Sequence, residues 1–505
     1  MPYSTVLKVV LASFLANEAH AEIREALAAD IDAIIALALQ FGTQPVTPAR
    51  MAWFESELAD RLRELGRRLL EKTVNRLEPS AETLPATVRW EATDYRRLNQ
   101  ATPNRHVATL FGTITLWRHG YRPSDKDSAE ATIFPLEQAL GLVESATPAM
   151  AGRIGVCLAE AGATQGRVLE RLRQEHGVSM GVKRLRALAA SLSEEMTEQR
   201  HACQVEQVLK WLAEAQASKG RNRPVLCAGR DGITLGQQPW GFFEVASVAT
   251  LTVYDRARRR LGTVQLACVP EFGQGTLTTQ LTRLIEDVLR GWTGPLPRLS
   301  YVTDAGDNET AYFRRVLRRQ RHPLTGKKLT WLWIVDYYHA TERISALADI
   351  LFGSGPDGES REGRAWAKKM RKLLLKPSGV RRVLLSAAAL RGTRGVKAKK
   401  LADYRRAYNY LRTRSRHMNY HEFRRQGLPI GSGVTEAACK TVFTQRLKLS
   451  GMRWKKEGAQ VILNLRVILL SGIWNAAFKR MLESKTQPQT PTHSTFRRID
   501  ARSAA

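Results

Sequence analysis

Cysteine is scarce in this chain, and acids are outnumbered. The five cysteines, Cys157, Cys203, Cys227, Cys268 and Cys439, form no close pair. That spacing argues against a zinc ribbon, a redox Cys-x-x-Cys motif and a disulfide framework, and fits a reducing compartment. Asp and Glu number 48 against 78 Lys and Arg, a formal net charge of +30. A basic membrane-surface helix concentrates its charge opposite one apolar face. Here the excess spans hundreds of residues, which favours a polyanionic partner, nucleic acid. Long hydrophobic runs are missing as well. The N-terminal VLKVVLASFLANEAHA lacks a basic n-region, is interrupted by Lys8 and continues into Asn17-Glu18, so it reads as helix rather than as a secretory signal. Val461–Trp474 is broken by Asn464 and Arg466 and is too short to span a bilayer. No membrane segment is expected.

What is present is ordinary globular material: 43% hydrophobic and 25% charged residues, so disorder is not the default. Residues 1–85 read as helices, the clearest starting at Thr47-Pro48, an N-cap followed by Pro at the first helical position. Residues 86–125 carry short alternating runs, ATVRWEA and HVATLFGTITLWRHGY, a small β element. Residues 126–215 return to helical periodicity. Within them, 163–192 read as helix, a turn centred on Gly177, a Ser179 N-cap and a second helix with Lys183, Arg184 and Arg186. That spacing suits a DNA-binding helix-turn-helix and equally any helical hairpin.

Ala217–Arg223 reads as a linker, and strand periodicity follows. The runs PVLCAGRDGITL, FEVASVATLTVYD and GTVQLACVPE suggest an antiparallel meander, and helices then alternate with the strands RLSYVTDAG and LTWLWIVDYY. The expected fold class is α/β, with order βββαβαβ-α and the first part of a core in 221–345. Residues 346–428 read as a basic all-α insertion. Between Arg361 and Arg425 there are 21 Lys and Arg and 3 acids, a net +18. A charge run is usually a solvated face, but Trp366, Tyr404, Tyr408, Tyr410 and Tyr420 interleave with this one and suit a nucleic-acid surface better than bare lysine does. The core resumes over 429–481, and the polar, Pro/Thr-rich 482–505 reads as a disordered tail.

Four places carry candidate chemistry. Asp231 lies inside an otherwise apolar strand, where a charge is costly unless paired or metal-bound; Asp231-Gly232 could instead be a hairpin turn. Asp304 ends the fourth strand, where ligand groups gather in open α/β sheets. Asp307, Asn308 and Glu309 read as helix caps, with Asp307 as a spare ligand. Asp336 and His339 form Asp-x-x-His, which shares one helix face and can bind a metal, a phosphate or simply each other. Glu436 follows a Gly-Ser-Gly turn with Ser432 available as N-cap, and it heads a stretch whose next charges are Lys440, Arg446, Lys448 and Arg453. A dipole-favoured acid explains one such Glu. Three carboxylates brought together from separate elements, however, repel one another and call for divalent cations, as in nuclease or strand-transfer sites.

The motifs GRDGI, TDAGDNE, DYYHA, PIGSGVTEAACK, QRLKLSGMRW and GAQVILNLR together resemble bacterial insertion-sequence DDE transposases of the ISKra type. The resemblance covers most of 220–475 and, more weakly, the β segment and helices of 86–200. It implies a ribonuclease-H-like core interrupted by an all-α insertion, preceded by a mainly helical DNA-binding region. Asp231, Asp304 and Glu436 match the catalytic D, D and E holding two Mg²⁺ ions, with Mn²⁺ as a substitute. Asp336 and His339 match a (C/D)xxH element, and Trp454 an aromatic position that either packs under the helix or contacts DNA. Lys440, Arg446, Lys448 and Arg453 would face DNA. The implied partners are double-stranded DNA, both element ends and target, and further copies of the chain as a dimer or larger assembly on it. The implied location is the bacterial cytoplasm, at the nucleoid. The competing expectations are a ribonuclease-H-like DNA nuclease such as a resolvase, and a non-catalytic DNA-binding regulator.

Overall fold

The computed structural model describes residues 19–90, 92–125, 127–238, 242–355 and 358–486. The expectations for the extreme N-terminus and most of the tail lie outside them. The chain forms two compact units, one made of residues up to 158 with 163–195 and the chain from 478, the other of 159–162 and 196–477.

In the first unit, α1 (Ala19–Gly42) precedes α2 (Pro48–Asn75). Thr47 caps α2, its hydroxyl accepting from the Arg50 N–H at 3.2 Å with Pro48 opening the helix, as the sequence leads one to expect. The β element contains β1 (Thr87–Trp90), β2 (Thr93–Arg97), β3 (Thr102–Thr109), β4 (Gly112–Arg118) and β5 (Tyr121–Pro123), arranged as a β1-β2-β5 sheet and a β3-β4 hairpin. Side chains of α2 stand in for a further strand at β4. Glu71 accepts from Thr115 N at 2.7 Å and Asn75 from Trp117 N at 2.7 Å, and Asn75 donates to Thr115 O at 2.8 Å. The open edge is thereby satisfied. Then come α3 (Pro135–Ala139), α4 (Pro148–Ala159), α5 (Gln165–His176) and α6 (Val182–Ala217). Gly177 ends α5 in the left-handed region with φ 64°. The second helix starts at Val182, so Ser179 is not its N-cap.

The second unit is built on β6 (Val225–Gly236), β7 (Phe243–Tyr254), β8 (Arg260–Cys268), β9 (Arg298–Thr303) and β10 (Trp331–Val335). The five strands pair in the order β10-β9-β6-β7-β8. The first three in sequence form the expected antiparallel meander, and β9 and β10 add in parallel, β9 on β6 and β10 on β9. Helices α7 (Gly275–Gly291), α8 (Asp307–Arg315) and α9 (Tyr337–Phe352) connect or follow the later strands. The apolar face of α7, Leu277, Leu281, Leu284, Ile285, Val288 and Leu289, is buried in the sheet core.

The stretch after α9 is α10 (Arg361–Leu374), α11 (Gly379–Arg394), α12 (Leu401–Arg414) and α13 (Tyr420–Arg425). It is not wholly helical: Ser354–Gly355 pairs with Gly358–Glu359 ahead of α10. The chain then returns through α14 (Gly433–Cys439), a π-helical turn at Lys440–Thr444, α15 (Lys456–Leu470) and α16 (Trp474–Thr486). The long apolar run is therefore two helices parted at Gly472, which has φ 69°. Gln460 and Ser471 tie the first of them to β8, through Val269 N at 3.0 Å and Gln265 N at 2.9 Å. Among the described residues no single helix is long and apolar enough to cross a membrane.

Candidate active site

Three neighbouring strands, β6, β9 and β10, run parallel; β9 and β10 are each followed directly by an acid, and β6 carries one within the strand. Asp231 stands two residues beyond the last β6 residue paired with β9, Gly229. Asp304 directly follows β9, and Asp336 directly follows β10, its N–H donating to Thr303 O at 2.8 Å. Such edges are where open α/β sheets present their chemistry. Strand alternation then sorts the side chains. Arg230 points to α7, donating to Thr278 Oγ1 and Gln274 Oε1 at 2.9 Å each, while the next residue, Asp231, points to α14.

Helix α14 brings Glu436 to this edge, and glycine makes the approach possible. A Cβ on Gly229 would stand 2.0 Å from Thr435 Oγ1 and 2.9 Å from Thr250 Oγ1. Those two hydroxyls hydrogen-bond at 2.8 Å and tie α14 to β7. Gly229→Ala is expected to push the helix off the sheet and destabilise the protein by about 1–3 kcal/mol, the usual range for overpacking. Urea unfolding checks this, and an unchanged midpoint contradicts it.

Asp231 is held at both oxygens, by Gly232 N–H at 2.7 Å and by the Cys439 thiol at 3.3 Å. Burial first, and then the charges of Asp304 and Glu436, push its pKa above the ordinary value. Asp231 therefore senses the charges of both other expected acids. Burial and the Asp231 charge likewise raise the Cys439 thiol, which keeps it a donor. Asp304 Oδ1 accepts from Gly306 N at 3.0 Å, and its carbonyl accepts from Tyr410 of α12 at 2.6 Å. Ala305 next to it has φ 63°, unfavourable for a residue with a Cβ, and Arg414 of α12 donates to its carbonyl at 3.0 Å. The basic insertion thus clamps the backbone that presents Asp304.

Asp336 is fully buried and caps α9, accepting from His339 N at 2.8 Å, from the Ser432 hydroxyl at 2.9 Å and from Ser432 N. Ser432 does occupy the N-cap position of α14, but its one hydroxyl proton faces the carboxylates of Asp336 and Glu436, and the hydroxyl caps no backbone N–H of the helix. His339 Nδ1 lies 3.3 Å from Asp336 and 3.7 Å from Glu436. Ligand atoms of Asp336, His339 and Glu436 fall within 4.8 Å of one another, close enough to share a metal ion. The hydrogen bond to Asp336 and that carboxylate's charge raise His339 from 6.5 to about 9, whereas the bonds from His339 and Ser432 outweigh burial and hold Asp336 low. At neutral pH the trio is therefore an ion-pair network, and an ion there must displace the imidazole proton.

A pH dependence follows. His339, with its pKa raised, stabilises the fold fully below pH about 6.5 and loses that contribution as pH rises through about 9. Asp336, with its pKa depressed, stabilises above its unfolded value of about 3.9 and fails as pH falls through its lower folded value. In EDTA, His339→Gln is expected to flatten the pH profile of unfolding free energy, from urea titrations, between pH 7 and 10 by on the order of 2 kcal/mol. An unaltered slope contradicts this assignment.

Two buried residues beside these acids, Glu309 and Cys439, are not singled out as site residues by the sequence. Glu309 lies in the first turn of α8 with its carboxylate on its own backbone N–H, and it is only 7% exposed, whereas Asp307, the expected spare, and Asn308 are exposed. Cys439, three residues after Glu436, is the other, and the helical i,i+3 spacing from Glu436 was its one available signal. Among the expected DNA contacts, Lys183, Arg186, Lys440, Lys448 and Arg453 are exposed. Arg184 is half-buried and braces a loop, donating to Glu144 O at 3.0 Å and Ser145 O at 2.8 Å. Arg446 is 1% exposed, with its guanidinium 5.4 Å from the Trp454 ring centroid, and Trp454 Nε1 donates to Leu447 O at 2.9 Å. Those two arginines and Trp454 serve packing in this structure. No protein-family model matches the chain, and comparison with curated proteins finds no significant match.

Proposed function

We propose that the chain is the transposase of a bacterial insertion sequence, a DDE enzyme with a ribonuclease-H-like core that cleaves DNA at its element ends and transfers the freed 3′-OH to target DNA. The observation that supports this reading is that Asp231 of β6 lies within electrostatic reach of Asp304, after β9, and of Glu436, in the first turn of α14. Among the described residues, the group close enough to share one ion is Asp336, His339 and Glu436. The sheet order, meander strands in the sequence 3-2-1 followed by 4 and 5, supports the core assignment.

The donor set fits hard divalent cations: three carboxylates, of which Asp231 is raised partly by the charge of the other two. Asp231, Asp304 and Glu436 would hold Mg²⁺, two ions in the full site, with Mn²⁺ as a substitute. Such ions, when bound, activate a water or hydroxyl and neutralise the charge on the phosphate. The protein's own groups do the rest. His339, protonated at neutral pH and fixed by Asp336, offers a charged donor toward a phosphate oxygen beside Glu436. Exposed Lys440, Lys448 and Arg453 and the basic helices α10–α13 hold backbone phosphates without reading sequence. Lys183 and Arg186 at the start of α6 serve the element ends. Synapsis of two ends calls for a dimer or larger assembly on DNA, in the cytoplasm at the nucleoid.

The test is the purified chain on duplex carrying the element ends, with Mg²⁺ or EDTA. The reading expects Mg²⁺-dependent 3′-OH ends and joined products. Cleavage without joining makes the protein a nuclease. Tight binding with neither makes it a regulator.

A further inference from the structure

We propose that Tyr410 and Arg414 of α12, in the basic insertion, are positioning residues for Asp304. Together they hold the turn that presents its carboxylate, so the insertion completes the reaction site as well as holding DNA. The proposal rests on the metal-dependent reading above and deepens it.

The turn Asp304-Ala305-Gly306 joins β9 to α8, and its backbone is held against its own preference. Ala305 has φ 63°, a left-handed conformation that crowds its Cβ and that alanine has no polar side chain to ease. A residue keeps such a conformation only where its surroundings over-determine it. Here α12 supplies the restraint. Tyr410 Oη donates to Asp304 O at 2.6 Å, and Arg414 Nη2 donates to Ala305 O at 3.0 Å. Those carbonyls belong to the two planar peptide groups on either side of the Ala305 Cα, so the pair fixes both of its dihedral angles. The turn's own contacts are longer: Ala305 N–H reaches Thr303 Oγ1 at 3.2 Å, and Thr310 Oγ1 reaches Ala305 O at 3.4 Å. Asp304 Oδ1 accepts from Gly306 N–H at 3.0 Å within the same turn, so a shift of the turn carries the carboxylate with it.

The tyrosines interleaved with the insertion's cations do not form a common surface for stacking bases. Tyr404 and Tyr420 are buried, and Tyr404 Oη donates to Ala387 O at 3.2 Å. Tyr420 repeats the Tyr410 contact one strand over, donating to Val335 O at 3.0 Å, directly before Asp336. A single bond of this kind docks a helix on a sheet. What sets Tyr410 apart is the strained residue beside its acceptor and the way its ring is held. The guanidiniums of Arg414 and of Arg343 in α9 lie 4.4 and 5.0 Å from the ring centroid. Arg414 therefore acts twice, on the Tyr410 ring and on the Ala305 carbonyl.

Single-turnover cleavage at saturating duplex and Mg²⁺ tests this on wild type, Tyr410→Phe, Arg414→Met and Asp304→Asn, the first three also in an Ala305→Gly background. Tyr410→Phe and Arg414→Met are each expected to cleave about 10-fold or more slowly, and Tyr410→Phe to bind DNA within about twofold of wild type. Glycine takes a positive φ without strain. Ala305→Gly alone should cleave within about threefold of wild type, and in its background both losses should shrink to under about threefold. Urea midpoints follow the fold separately, since contacts that serve stability alone lower the midpoint and leave the rate of the folded protein unchanged. Wild-type rates in both variants, losses of equal size in the two backgrounds, or an inactive Ala305→Gly overturn the positioning role, while an inactive Asp304→Asn keeps the metal reading. Absence of Mg²⁺-dependent cleavage by wild type overturns both.

Discussion

Asp304→Asn should bind DNA as the wild type does and cleave it at least about 10³-fold more slowly, a loss of roughly 4 kcal/mol of transition-state stabilisation. The substitution is close to isosteric. An Asn Oδ1 still accepts the Gly306 N–H, and the contacts that hold this backbone, from Tyr410 to the Asp304 carbonyl and from Arg414 to the Ala305 carbonyl, involve no side-chain charge. What disappears is one negative charge at the sheet edge. A gel-shift titration and single-turnover cleavage separate the two effects. Cleavage within tenfold of wild type removes Asp304 from the reaction, and lost DNA binding shows that the site also shapes the DNA surface.

Asp336→Ala should cost the fold about 3–4 kcal/mol, more than any other single change in this region. The carboxylate is fully buried, caps α9, accepts two bonds from Ser432 and pairs with His339. Removing it strands an imidazolium and two donors at once. Asp336→Asn keeps the shape and loses only the charge, so it should fall between wild type and Ala. Urea midpoints of the three proteins decide this. If Ala lies within 1 kcal/mol of wild type, the Asp336 network is not what joins β10 to the turn before α14.

The strands were legible because each is an apolar or alternating run closed by a turn signal, and β6, β7, β9 and β10 fall close to where periodicity puts them. Asp231 and Asp304 stand out for a related reason, because a charge inside or ending such a run is unusual enough to notice, and Glu436 stands out as the one acid heading a cationic stretch. Partner choice was not. Ser432 reads as a helix cap from its neighbours, yet its hydroxyl goes to Asp336, 96 residues earlier, a pairing only the tertiary fold creates. Glu309 sits in Asp-Asn-Glu, a string that looks like caps, and only burial distinguishes its third member. Arg184 and Arg446 belong to basic strings in which every cation looks alike, until one packs against carbonyls and another against Trp454.

The most direct test of the central claim is mobility of the gene with its native flanking DNA, comparing wild type with Asp231→Asn and Glu436→Gln. The account predicts excision and integration with wild type, and DNA binding without movement for both variants. Movement of the DNA by either variant, or tight binding without movement by all three proteins, contradicts it.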